Sequence, residues 1–171
     1  MIYVKECPIL YHNVFLPLMK KMIKLRDMIE NGIDCIGITL IFFCHDGAGK
    51  YLLNKRSEFC RDEHGRWDPG GGALKFGESV ETGLFREVAE EYRVIPQQIK
   101  FLGYRDTHRI ADGKKSHWVT LDFKVMVDPN EVKNGEPEKF EAVEWFSLSD
   151  LPFPLHSQLE SALDKYSDQL I

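Results

Sequence analysis

Apolar residues recur along this chain with two different periods. From Val14 to Asn31 the residues Phe15, Leu18, Met19, Met22, Leu25 and Ile29 return at helical spacing with lysines between them. This predicts an amphipathic helix stopped by Asn31-Gly32. The pattern then changes. Cys35 to Cys44 (CIGITLIFFC) is β-branched and aromatic, HDGAGK carries turn residues, and Tyr51 to Asn54 resumes the apolar run, which predicts a β-hairpin. RSEFCRDEHGR is a polar loop and WDPGGG a cluster of breakers. Next comes a helical segment, GESVETGLFREVAEEY, from Gly77 to Tyr92. Ile99 to His108, His117 to Val127 and Phe140 to Phe146 follow as three strands, joined by loops containing DGKK and DPNEVKNGEPEK, and Leu155 to Leu170 closes the chain as a helix. Strands on both sides of one central helix predict a mixed sheet covered by helices, an α/β or α+β sandwich.

The central helix carries an unusual charge pattern. At about 100° per residue, Glu87, Glu90 and Glu91 share one arc, with Phe85, Val88, Ala89 and Tyr92 opposite. The apolar side is expected to pack on the sheet while the carboxylates converge outward. Like charges at such spacings each cost a few tenths of a kcal/mol, and Arg86 is the only nearby cation. Two readings fit, a hard divalent cation among the oxygens or a solvated acidic face. Upstream, Gly70, Gly71 and Gly72 allow a close backbone approach, and Ser79 suits the N-cap with Glu81 in the first turn.

Length and charge narrow the alternatives. At 171 residues the chain is expected to form one domain, residues 33–171, preceded by a helical extension over residues 1–32. No run approaches the roughly 18 apolar residues of a membrane span, and Lys20, Lys21, Lys24 and Arg26 interrupt the N-terminal apolar bursts. A cytoplasmic protein with no membrane partner is the expectation. Cys7, Cys35, Cys44 and Cys60 lie far apart, with no zinc-type spacing, and are expected as reduced, mostly buried thiols. A net charge of −5, from 27 acids against 22 Lys and Arg, argues against broad nucleic-acid binding. It leaves room for a small phosphorylated ligand held through a cation.

The spacing Gly72, five residues, Glu78, seven residues, then Arg86-Glu87-Val88-Ala89-Glu90-Glu91-Tyr92-Arg93-Val94 resembles the Nudix box, G-x5-E-x7-R-E-U-x-E-E-x-G-U with U aliphatic. All positions match except Arg93, where the family has glycine, and Pro69 stands one residue earlier than in the usual PGG arrangement. The resemblance extends from about Ile33 to Leu151, and HWVTLDFKV and EPEKFEAVEWFSLSDLP look similar to MutT-related members that hydrolyse nucleoside triphosphates. It implies a Nudix-type α/β/α sandwich with a mixed β-sheet and, here, an additional N-terminal helix, which would complete the core or build a homodimer.

The implied activity is Mg²⁺- or Mn²⁺-dependent cleavage of a nucleoside diphosphate-linked substrate, foremost a nucleoside triphosphate to the monophosphate and pyrophosphate. The alternatives are ADP-ribose or nucleotide-sugar hydrolysis, or a silent nucleotide-binding module. Carried over by position, Glu87, Glu90, Glu91 and Glu78 are the metal ligands, with Glu90, Glu91 and Arg86 in the catalytic set. The later loop offers Glu136, Glu138 and Glu141 as general base, with Glu138 favoured. Gly71, Gly72, His108 and Arg109 are expected to meet substrate, and Phe76, Trp67, Trp118, Tyr104 and His108 are available for stacking on a nucleobase.

Overall fold

A computed structural model describes Pro17, residues 29–111 and residues 113–170. The amphipathic segment predicted over Val14 to Asn31 lies outside the described residues, apart from Pro17 and its last three positions. The elements run β1 (Gly37–His45), β2 (Lys50–Arg56), β3 (Trp67–Asp68), β4 (Gly70–Ala73), α1 (Val80–Tyr92), β5 (Gln98–Ala111), β6 (Lys114–Met126), β7 (Phe140–Ser147) and α2 (Ser157–Leu170). They form a seven-stranded sheet in the order β3-β2-β1-β6-β5, with β4 on β1 and β7 on β2. Strands β1 and β6 are parallel and the other pairs antiparallel, so the sheet is mixed.

Both faces of β1 are buried, because each is covered by a helix. Leu40, Phe42 and Cys44 pack on one side with Leu84, Val88 and Tyr92 of α1. Phe43 points to the other side, where Tyr51, Leu53 and Trp67 meet Leu159, Ala162, Tyr166 and Leu170 of α2. The result is a helix/sheet/helix sandwich. On α2 those four residues recur at helical spacing, which is why the segment folds as an amphipathic helix. Arg105 fixes it further: Nε and Nη2 donate to the buried Asp122 carboxylate at 2.9 and 2.8 Å, and Tyr166 Oη donates to the same group at 3.0 Å. A buried ion pair of this kind needs all its partners, since removing one strands a charge in the interior.

Four features differ from the sequence expectation. The β1–β2 hairpin pairs at its root, His45 opposite Tyr51; beyond it β1 takes β4 while β2 takes β3 and β7. The WDPGGG stretch is not merely a break but supplies β3 and β4, its glycines pairing with Ile41, Phe42 and Leu40. The hairpin of β5 and β6 extends to Ala111 and Lys114, through the expected DGKK loop. Of the cysteines, expected to be mostly buried, Cys44 is buried, Cys60 half-buried and Cys35 exposed. Among the described residues no helix is long and apolar enough to cross a membrane.

Candidate active site

The parting of β1 from β2 opens a cleft of about 820 Å³, lined at one end by Gly71, Gly72, Glu91 and Glu136 and at the other by Thr107, Trp118 and Arg61. Helix α1 presents its glutamates to the first end. Ser79 Oγ accepts from Thr82 N–H at 3.1 Å and starts the helix. At the other terminus Arg93 adopts the left-handed conformation usually reserved for glycine, φ 55°, with its N–H donating to Ala89 O. The departure from the box therefore keeps the same helix exit, with backbone strain of about 1–2 kcal/mol.

The buried stripe of α1 is Gly83, Leu84, Val88, Glu91 and Tyr92. Phe85 and Ala89, expected inside, are exposed, and two of the three carboxylates expected to face outward turn inward. Glu91 is 5% exposed, and its carboxylate accepts from Gly71 N–H at 3.2 Å. Burial raises its pKa well above the ordinary carboxylate value, and the charges of Glu87 and Glu136 push in the same direction. Glu87 is 12% exposed and lies directly under Gly72. A Cβ at Gly72 would overlap the Glu87 carboxylate, and one at Gly70 would overlap the Phe42 ring and crowd Glu91. The glycine strand is thus a lid of backbone that only residues without side chains can form over two carboxylates.

Arg86 organises the remaining acids. Its Nε and Nη2 donate to the two oxygens of Glu78, both at 2.8 Å, and Nη1 reaches Glu87 at 2.5 Å and Glu90 at 3.3 Å. That bidentate bond is the main cause holding Glu78 down at about 2. Glu90 stays 46% exposed. Among the described residues no three His, Cys, Asp or Glu side chains already converge as a closed metal cage. The donor set nonetheless suits Mg²⁺, which commonly takes one or two carboxylates and completes its octahedron with water and substrate phosphate. Glu87 and Glu91, close together beneath the glycine strand, are the pair that fits.

The loop after β6 closes over the C-terminus of α1. Lys133 N–H donates to Tyr92 O at 3.0 Å and Gly135 N–H to Glu91 O at 2.7 Å, using carbonyls the helix leaves free. This brings Glu136 to the cleft, paired with Lys139 at 2.8 Å. Glu138 is not brought there: it is exposed, with its backbone carbonyl accepting from Ser57 Oγ. His108 is also outside. It alternates with Arg109 along β5, so it lies on the opposite face, its ring 4.2 Å from that of His117. Arg109 lines the cleft, but its guanidinium is committed to Asp62 at 3.0 Å and Glu63 at 2.6 Å. Of the stacking candidates, Phe76 is fully exposed, Trp67 packs on Phe146 in the core, Tyr104 is exposed, and Trp118 lines the cleft.

Asn54 and Asp68 are among the cleft residues not singled out from sequence. Asn54 is buried, gives Nδ2 to Tyr92 Oη at 3.0 Å and leaves Oδ1 without a partner. Asp68, its cross-strand neighbour, is 14% exposed and 3.4 Å from Arg56. Their types, Asn and Asp within apolar strands, are the only signal the sequence carries for them.

Comparison with known proteins agrees with this geometry. A family model described as NUDIX domain matches residues 37–169. The ADP-ribose pyrophosphatase of Methanocaldococcus jannaschii is 31% identical over 134 residues, 78% of this chain and 75% of that protein. The RNA pyrophosphohydrolase of Acinetobacter baylyi is 26% identical over 99 residues, and the match spans 60% of its length and 49% of this chain. Among solved structures, the MutT NUDIX hydrolase from Burkholderia pseudomallei has a TM-score of 0.67 and 30% identity, covering 75% of this chain and 96% of that one. The NUDIX domain of Shewanella oneidensis NrtR, complexed with ADP ribose, has a TM-score of 0.64 at 21% identity, covering 85% and 92%, a likeness of fold. With its box on α1 and both faces of its mixed sheet covered, the chain belongs to the Nudix family, hydrolases of pyrophosphate bonds.

Proposed function

We propose that this protein hydrolyses the pyrophosphate bond of a nucleoside diphosphate-linked substrate of the ADP-ribose type, releasing a nucleoside monophosphate. The observation that carries this reading is the pair Glu87 and Glu91, held beneath the glycine strand, with Glu91 lining a cleft of about 820 Å³. Glu87 and Glu91 would hold a divalent cation, with Glu90 and Glu78 at its margin. Mg²⁺ or Mn²⁺ bound there would screen the phosphate charge and acidify the attacking water.

The chain's own groups supply the rest. Arg86 keeps Glu87 and Glu78 oriented. Glu136, replacing Glu138 in this role, takes the proton of the attacking water, because it lines the cleft beside Glu91. The backbone at Gly71 and Gly72 lets phosphate approach closely. The ADP-ribose class is supported by the Methanocaldococcus relative, which covers most of the chain. Nucleoside triphosphates are the second reading, supported by the box and by the MutT likeness.

The test is release of monophosphate from ADP-ribose, nucleotide sugars and nucleoside triphosphates, with Mg²⁺ and with EDTA, for the wild type and Glu91→Gln. Metal-dependent turnover lost in the variant supports the reading, and the preferred compound decides between the two substrate classes. Turnover unchanged in Glu91→Gln would refute the assignment of the site.

A further inference from the structure

The far end of the cleft has a feature the pyrophosphate chemistry does not use. Trp118 of β6 sits in register with Gly37 of β1, and its indole lies across two glycines. A Cβ at Gly37 would overlap the benzo ring, and a Cβ at Gly32 would overlap the pyrrole side. Gly32 is itself fastened there, its carbonyl accepting from His117 N–H at 2.7 Å. The indole is thereby packed against backbone at both glycines. Over the ring stands Arg61, its guanidinium carbon 5.8 Å from the centroid. Arg61 is held only loosely, 71% exposed and 3.6 Å from Asp62. A flat aromatic surface with a fixed floor and a cation free to swing is what a planar, electron-rich ring requires.

Its position suits a base belonging to the same ligand. Gly37 and Ile41 are four residues apart on β1, and Ile41 pairs with Gly71, whose N–H meets Glu91. At ~3.3 Å per strand residue the indole stands roughly 13 Å along the sheet from the carboxylates. That span is of the order of the distance from a nucleobase to its second phosphorus. Thr39 and Thr120, paired between these two levels, line the intervening wall.

Resting on the nucleotide reading above, we infer that Trp118 is the platform on which the nucleobase stacks and that Arg61 closes over the base. The experiment uses the full chain and AMP, the product common to the ADP-ribose and ATP reactions, with ribose 5-phosphate as the probe lacking a base. AMP is expected to quench tryptophan emission in the wild type. The quench disappears in Trp118→Phe, where Trp67 and Trp145 still emit. Trp118→Ala raises KM for the nucleotide and the inhibition constant of AMP by about tenfold or more, leaves kcat nearly unchanged, and does not alter inhibition by ribose 5-phosphate. Arg61→Ala gives a smaller rise in the same constants.

If AMP quenches Trp118→Phe as it does the wild type, or if Trp118→Ala weakens AMP and ribose 5-phosphate equally, the inference is overturned while turnover preserves the functional reading. If the wild type turns over no nucleotide and AMP leaves emission unchanged, both fall. Should Trp118→Ala fail to fold, the emission of Trp118→Phe decides alone.

Discussion

Replacing Asp68 by Asn should stabilise the protein, and more so at alkaline pH. Asp68, 14% exposed, lines the cleft; desolvation raises its carboxyl from 3.8 to about 7, against the pull of Arg56, while Glu63 and Asp62 push the same way. A carboxyl raised in the folded state favours folding fully below its unfolded value, and this contribution is lost as pH climbs through the folded one. With 3.8 unfolded and about 7 folded, the proton linkage costs the wild type about 1 kcal/mol at pH 4.5 and about 4 kcal/mol at pH 8.5. Asparagine titrates at neither pH and still fills the same volume. The gap in stability between variant and wild type therefore widens by about 3 kcal/mol across that range. For a chain of this size each kcal/mol moves Tm by ~2–4 °C, so the Tm difference should grow by roughly 6–12 °C. Glu91 is raised in part by the Asp68 charge, so its response has the same sign. Thermal unfolding followed by far-UV circular dichroism at both pH values measures the difference directly. A Tm gap that is constant with pH would refute the reasoning. So would a variant that loses most stability at pH 8.5, for then the Arg56 ion pair outweighs burial.

Glu91→Gln keeps an acceptor for Gly71 N–H but removes a desolvated charge, so kcat should fall by more than about a hundredfold while Tm rises by a few degrees; a lower Tm would contradict the account of Glu91 burial. Arg93→Gly relieves left-handed strain of about 1 kcal/mol and gives up an exposed bond to Gly135 O. A Tm gain of about 2 °C is expected in a melt at neutral pH, and a clear loss would mean that the bond outweighs the strain. Between Glu136→Gln and Glu138→Gln, only the first should depress kcat, by about tenfold to a hundredfold, without changing KM; equal effects would remove Glu136 from the role of base.

What the sequence made legible follows the reach of local rules. The helix from Ser79 depends on neighbours within one turn, and the box on α1 was recognisable by spacing. Which way the glutamates faced was not. Helical angles placed Glu87, Glu90 and Glu91 on one arc, but the position of the sheet beneath that arc decides which of them is buried. Leu84 and Val88 dock α1 on β1, and that rotation carries Glu91 inward and leaves Phe85 outside. The same long-range dependence hid β4, because three glycines carry no strand propensity and pair only once β1 has parted from β2. His108 and Arg109 were adjacent in sequence and therefore taken together, yet the alternation of a strand sends them to opposite faces. Glu136 over Glu138 was set by two amides capping α1, a contact that no local pattern announces.

The glycine strand also fixes how this gene can drift. Any missense change at a glycine codon adds a side chain, and at Gly72 even the smallest would evict a carboxylate. At Gly77 the constraint is of another kind: φ is +83° with nothing within 4 Å of a Cβ, so asparagine, which tolerates that conformation, has room. In a saturation library selected for turnover, Gly72 should survive as glycine alone, whereas Gly77 should admit a narrow polar set. Two residues of one type, five apart, thus belong to different mutational classes, one closed by space and the other filtered by backbone conformation.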